Sequence, residues 1–265
     1  MAYLAEYGLF FAKALTLFLL IVGILLSAVG VAMRNRHTPS EQIDVKRIND
    51  RFRDMADALE MATLPPALVK KRQKAQKKER KAQAKSEKNA PEEPKKRVFV
   101  LNFNGDIRAS EVALLREEVT AILLGVREGD EVLVRLESAG GMVHAYGLAA
   151  SQIMRLRDAG VDVTVSVDKV AASGGYLMAC VANRILAAPF AVIGSIGVVA
   201  EIPNFNRLLK KHDIDYEQIS AGEYKRTISM LGETTDRARA KVKEEVEQTH
   251  TLFKDFVKAR RPIVD

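Results

Sequence analysis

The sequence has 265 residues, 48% of them hydrophobic, with a formal net charge of +7 and a single cysteine. That length allows one large domain or two small ones, and a lone cysteine, Cys180, excludes an intrachain disulfide framework. The charge is concentrated: residues 70–97 hold 13 Lys/Arg against 4 Asp/Glu, a net of +9, whereas residues 98–265 hold 21 against 23 and residues 1–69 hold 7 against 7. A nucleic-acid-binding domain carries its basic face on its folded part, so nucleic acid is not expected as a partner. His37, His144, His212 and His250 are scattered without metal-ligand spacing; neither a metal nor another cofactor is expected.

From Ala14 to Met33 there are 20 residues without a charge. At 1.5 Å per residue they reach roughly 30 Å, the thickness of a bilayer's hydrocarbon core. A core helix of that length would show a polar face, and a cleaved leader would have a basic start and a small-residue cleavage site. The run is therefore read as an uncleaved single-pass anchor within residues 1–36, which makes the lipid bilayer a partner. Arg34, Arg36, Lys46 and Arg47 follow the span and only Lys13 precedes it, a bias that favours a cytoplasmic location for the remainder of the chain.

Residues 37–97 predict a juxtamembrane helix over 41–61, stopped by Pro65-Pro66, and then a Lys-rich tether over 68–88 with good helix formers and almost nothing to bury. The alternative to a plain solvated tether is contact with anionic headgroups. Ala90-Pro-Glu-Glu-Pro94 marks the boundary of a domain spanning 98–265.

That domain opens with a strand at 98–103 and a helix at 111–124, then a strand at 131–137 that ends in Ser138-Ala139-Gly140-Gly141. A helix at 145–159 and an alternating strand at 161–167 follow. Next come an apolar helix after Ser173-Gly174-Gly175, a short strand at 184–187 and a Gly194/Gly197 turn. A helix at 205–212, a strand at 215–219, a loop at 222–229 and a long helix from 235 to 260 complete the chain. Strands alternating with helices predict an α/β domain with largely parallel strands.

Ser173 falls where a strand turns into a helix beside two glycines. A hydroxyl next to unpaired helix N–H groups is how an acyl-transfer nucleophile with an oxyanion pocket is built; equally, serine is a favoured helix cap. Neither G-x-G-x-x-G, G-x-x-x-x-G-K-[ST] nor G-x-S-x-G occurs. His144 reads as a polar helix-start residue. A lysine kept uncharged by burial could serve as base, but spacing alone does not choose which lysine.

Ala172-Ser173-Gly174-Gly175-Tyr176, Gly194-Ser195-Ile196-Gly197-Val198 and Tyr224-Lys225-Arg226, in that order, resemble the signal peptide peptidase A family of serine peptidases. The resemblance covers nearly the whole chain and implies a ClpP/crotonase-like fold with a Ser–Lys dyad. By position it makes Ser173 the nucleophile, Lys225 the general base and Ser195 the residue that orients the lysine, with the N–H groups of Gly140 and Gly174 as oxyanion donors. It also implies polypeptide substrates, a homo-oligomer that completes the cleft, and the bacterial inner membrane with the catalytic domain on the periplasmic side, against the charge bias. The family's turn reads Ser-Pro-Gly-Gly where this chain has Ala139, and family chains continue past the position of Asp265, so a domain cut short there is expected. Two other readings are a crotonase-type acyl-CoA enzyme and a non-catalytic membrane scaffold.

Overall fold

The computed structural model describes residues 8, 10–23, 43–89, 96–222, 225 and 227–262, which divide into two compact units, 1–89 and 90–265. In the first unit, residues 10–23 form helix α1. The rest of the predicted span, 24–33, lies outside the described residues. Among the described residues no helix is long and apolar enough to cross a membrane.

Helix α2 (Ile48–Thr63) begins later than the predicted 41. It ends before Pro65-Pro66, and Pro66 then opens α3 (Pro66–Asn89), a position where proline's missing N–H costs nothing. The Lys-rich tether is thus a continuous helix, and it is not simply solvated. Arg72 Nε sits 2.9 Å from Glu60, and Arg80 donates to both Asp54 and Asp57 at 2.7 Å. These pairs hold α3 antiparallel to α2. At 3.6 residues per turn, the exposed Lys70, Lys71, Lys74, Lys77, Lys78, Lys81 and Lys85 fall within an arc of about 120°, and two of them, Lys77 and Lys81, also line the groove between α3 and α2.

The second unit is an α/β domain. Its strands are β1 (Val98–Gly105), β2 (Glu131–Ser138), β3 (Asp162–Val167), β4 (Val170–Ala172), β5 (Arg184–Ala187) and β6 (Val192–Gly194). Its helices are α4 (Val112–Gly125), α5 (Val143–Asp158), α6 (Gly174–Ala179), α7 (Asn206–Lys211) and α8 (Asp236–Arg260). Every pairing is parallel. β2 pairs with β1 along its whole length, with β3 from Glu131 to Arg135, and with β4 only through Ser138 opposite Ala171. The sheet therefore forks: β5 extends the β3 arm and β6 the β4 arm. β4 consequently delivers the chain to the carboxyl end of β2, the end of a parallel sheet at which ligands bind.

Alternation along the strands puts Leu101 and Phe103, Val132, Val134 and Leu136, and Val163, Val165 and Val167 into one core. Helices α4 and α5 cover it through Leu115, Val119, Ile122, Ile153 and Leu156. Register is pinned at the entrance by the buried Asp130, which accepts from the Arg97 N–H at 3.0 Å, from Arg97 Nε at 3.1 Å and from the Arg127 N–H at 2.8 Å. With Val98 opposite Glu131 there, Gly105 arrives opposite Ser138 at the far end.

Two short strands, β4 and β6, escape the sequence reading, and one predicted strand is absent. Residues 215–219 are irregular and Ile219 is 90% exposed. An alternating pattern without a neighbouring strand to pair with does not make a strand.

Candidate active site

Ser173 joins β4 to α6 with φ 51° and ψ −117°, a conformation that L residues avoid and that is kept only where the surroundings impose it. The surroundings are backbone hydrogen bonds. Its N–H donates to the Gly194 carbonyl of β6 at 2.7 Å, and its carbonyl accepts the Leu177 N–H at 2.9 Å to start α6. The capping alternative fails: Ser173 occupies the N-cap position, yet its side chain makes no cap hydrogen bond. Oγ is left for other use on a half-buried residue.

The Ser138–Gly141 turn is pressed against this corner. A Cβ built on Gly140 would lie 2.7 Å from Gly174 N and 2.8 Å from both Ala172 O and Ser173 Cβ, and Gly140 itself has φ +92°. Only glycine lets the turn approach that closely. Gly174, at the start of α6, is buried, and a Cβ there would enter the Tyr146 ring. Both candidate oxyanion donors therefore border Ser173, although the Gly140 N–H donates to Ser138 Oγ at 3.1 Å.

Ser195 follows Gly194, the acceptor of the Ser173 N–H, and is exposed with φ 53°. Lys225 belongs to a later segment of the chain. It is exposed between α7 and α8, its N–H donates to Gly222 O at 3.3 Å, and it lines a groove of about 740 Å³ with Ile202, Tyr216, Met230, Leu231 and Val242. Ser173 does not line that groove. Among the described residues no hydrogen bond or ion pair joins Lys225 to Ser173 or Ser195. His144 is exposed in the first turn of α5, consistent with a helix-start residue. Cys180 offers no rival nucleophile: it is buried, and burial pushes its thiol up to about 11.

Peptidase family S49 N-terminal matches residues 2–153, and Peptidase family S49 matches residues 155–264. The chain belongs to peptidase family S49. The probable protease SohB of Haemophilus influenzae is 49% identical over 269 residues, covering 99% of this chain and 76% of its own. The probable protease SohB of Buchnera aphidicola subsp. Schlechtendalia chinensis is 46% identical over 269 residues, covering 99% and 88%. The chloroplastic serine protease SPPA of Arabidopsis thaliana is 31% identical over 160 residues, 59% of this chain and 24% of its own. This S49 chain is accordingly a hydrolase of the serine-peptidase kind.

The candidate residues fall in both matched segments, with Ser138, Gly140 and Tyr146 in the first and Ser173, Ser195 and Lys225 in the second. Sequence reasoning missed Tyr146. Its Oη lies 2.5 Å from Ser138 Oγ and donates to the Asp106 carbonyl at 2.7 Å. The only signal was a tyrosine on the helix that follows a Ser-x-Gly-Gly turn.

Proposed function

We propose that this S49 peptidase is a membrane-anchored endopeptidase that cleaves peptide bonds with a Ser173–Lys225 dyad on a ClpP/crotonase-like domain. The observation that carries the reading is Ser173 itself: a hydroxyl free of cap duty, on a strained strand-to-helix corner, with the Gly140 turn packed against it. Strain of this kind gathers at functional sites.

In the reaction the unprotonated Lys225 amine takes the Ser173 Oγ proton as Oγ bonds to the substrate carbonyl carbon. The carbonyl oxygen, now an anion, accepts the N–H groups of Gly140 and Gly174. The tetrahedral adduct collapses, the amine leaves with the proton held by Lys225, and water attacks the acyl-enzyme by the same route in reverse. Ser195 orients the lysine ammonium. For Gly140 the anion displaces Ser138 Oγ, a neutral acceptor, and charge-assisted hydrogen bonds are roughly twice as strong.

A lysine works as a base when burial disfavours its charged form, and Lys225 is exposed in the single chain. A homo-oligomer that covers the Lys225 segment is therefore part of the proposal. Exposed apolar side chains at Phe190, Val192, Val199, Ile214 and Ile219 in the same unit support it. Substrates are membrane-associated or misfolded polypeptides and signal-peptide remnants, bound extended along a strand edge.

Residues 14–33 supply the anchor, in the bacterial inner membrane, and the peptidase domain lies on the periplasmic side. A reporter active on one side of the membrane only, fused behind residue 265, tests the orientation. Hydrolysis of a quenched-fluorescence peptide by the full chain in vesicles tests the chemistry. Ser173→Ala and Lys225→Ala should each lower kcat by about 10⁴-fold; near-normal turnover in either variant contradicts the dyad.

A further inference from the structure

Behind the Gly140 turn lies a pair of buried hydroxyls that neither form nor break a bond to substrate in the reaction above. Ser138 ends β2 at 2% exposure, and Tyr146, on the second turn of α5, is fully buried with its ring edge-on to Phe103. Counting protons gives their bonds a direction. The Tyr146 phenol has one proton, and its geometry sends it to the Asp106 carbonyl at 2.7 Å; burial holds that phenol above its ordinary value, so it stays a donor. In the 2.5 Å contact between the two hydroxyls, Ser138 must then donate and Tyr146 accept. The Gly105 carbonyl, 3.3 Å from Ser138 Oγ, is a weaker destination for the same proton. The serine oxygen is left to accept the Gly140 N–H at 3.1 Å.

The result is a one-way chain: Gly140 N–H to Ser138, Ser138 to Tyr146, Tyr146 to the Asp106 carbonyl. Each link polarises the next in a dry environment. The same Tyr146 ring abuts Gly174, where a Cβ would enter it. One side chain thus touches the backbone of both candidate oxyanion donors, one through Ser138 and one by packing.

We infer that Ser138 and Tyr146 are positioning residues that aim the Gly140 and Gly174 amides at the oxygen of the reacting carbonyl. The inference rests on the reading of Ser173 as nucleophile. The hydroxyl chain holds the Gly140 N–H in place before the reaction and gives it up to the stronger, anionic acceptor when that forms. Removing a link costs alignment at the point where charge develops, so it weakens the transition state more than the bound substrate.

The test compares two inhibitors of one peptide sequence. In the aldehyde, Ser173 Oγ bonds to the carbonyl carbon, the serine proton passes to Lys225, and the hemiacetal oxygen takes the oxyanion position. The corresponding alcohol has no carbonyl and forms no adduct. Inhibition constants are independent of the folded fraction, so partial misfolding of a variant does not disturb their ratio. With the full chain, Tyr146→Phe and Ser138→Ala should each shrink the aldehyde's advantage over the alcohol by about tenfold. The alcohol's own constant should stay within about twofold, and the double variant should be no worse than the poorer single one, because one chain is broken either way. A wild-type ratio in Tyr146→Phe, or two losses that multiply in the double variant, overturns the inference. Ser173→Ala, read by direct calorimetric binding of the two peptides because it has no turnover to inhibit, separates the levels: it must abolish the advantage. If it does not, the nucleophile is wrong; if it does while Tyr146→Phe matches wild type, only the positioning role is wrong.

Discussion

The backbone N–H of Ser173 donates to the carbonyl of Gly194 at 2.7 Å, so the residue next to Ser195 is tied directly to the candidate nucleophile. That bond belongs to the β4–β6 pairing and holds Ser173 at φ 51°. Glycine accepts such a conformation without strain. Ser173→Gly should therefore raise stability by about 1 kcal/mol while removing the nucleophile. Thermal unfolding of the two proteins side by side checks this; a lower Tm in Ser173→Gly would mean that the corner is not strained.

Gly140 faces the opposite constraint. An alanine there meets the Gly174 nitrogen, the Ala172 carbonyl and Ser173 Cβ inside 3 Å, and these are backbone or backbone-proximal atoms that cannot swing aside. Gly140→Ala should displace the turn and lower kcat by about 10²-fold, on the scale of a misplaced catalytic group. Steady-state kinetics check it, and unchanged kcat would remove the turn from the chemistry.

Much of this architecture was legible in the sequence, and the reasons are local. Alternation in 98–103, 131–137 and 161–167, and glycine pairs just past strand ends, place three strands and the two turns that meet at Ser173. β4 and β6 were not legible, because three residues carry no periodicity and their pairing depends on β2 continuing past β3. The Tyr146–Asp106 bond joins residues 40 positions apart, which no local pattern encodes. Lys225 was named by resemblance alone, and the single chain shows it lining a groove that excludes Ser173.

Asp130 sets the register that brings Ser138 to the site, and it does so as a carboxylate. The Arg97 guanidinium, followed by the Arg127 and Arg97 N–H groups, outweighs burial and holds it well below the usual carboxylate range. A depressed folded-state value means stabilisation that is complete above the unfolded value near 3.9 and lost as pH falls below about 4. Asp130→Asn should cost about 2 kcal/mol at pH 6, and the gap from wild type should shrink as pH falls toward 3. Denaturant melts at both pH values check this; a pH-independent gap would assign the effect to packing.

The row Lys70, Lys74, Lys78, Lys81 and Lys85 is exposed and makes no ion pair among the described residues. Lysines beside an anionic bilayer contribute about 1 kcal/mol each, screened by salt. Changing these five to glutamine should weaken association of the 43–89 hairpin with phosphatidylserine vesicles, measured on full chains lacking only residues 1–36. Binding to neutral vesicles should not change. Equal binding of wild type and variant to anionic vesicles would return the row to plain solvation.

Ser173 and Lys225 stand or fall together, and labelling decides between the outcomes. The full chain, in membranes and treated with a fluorophosphonate probe, should carry the label on the peptide containing Ser173, and Lys225→Ala should lose it. Label of wild-type strength in Lys225→Ala, or label on any residue but Ser173, would contradict the dyad.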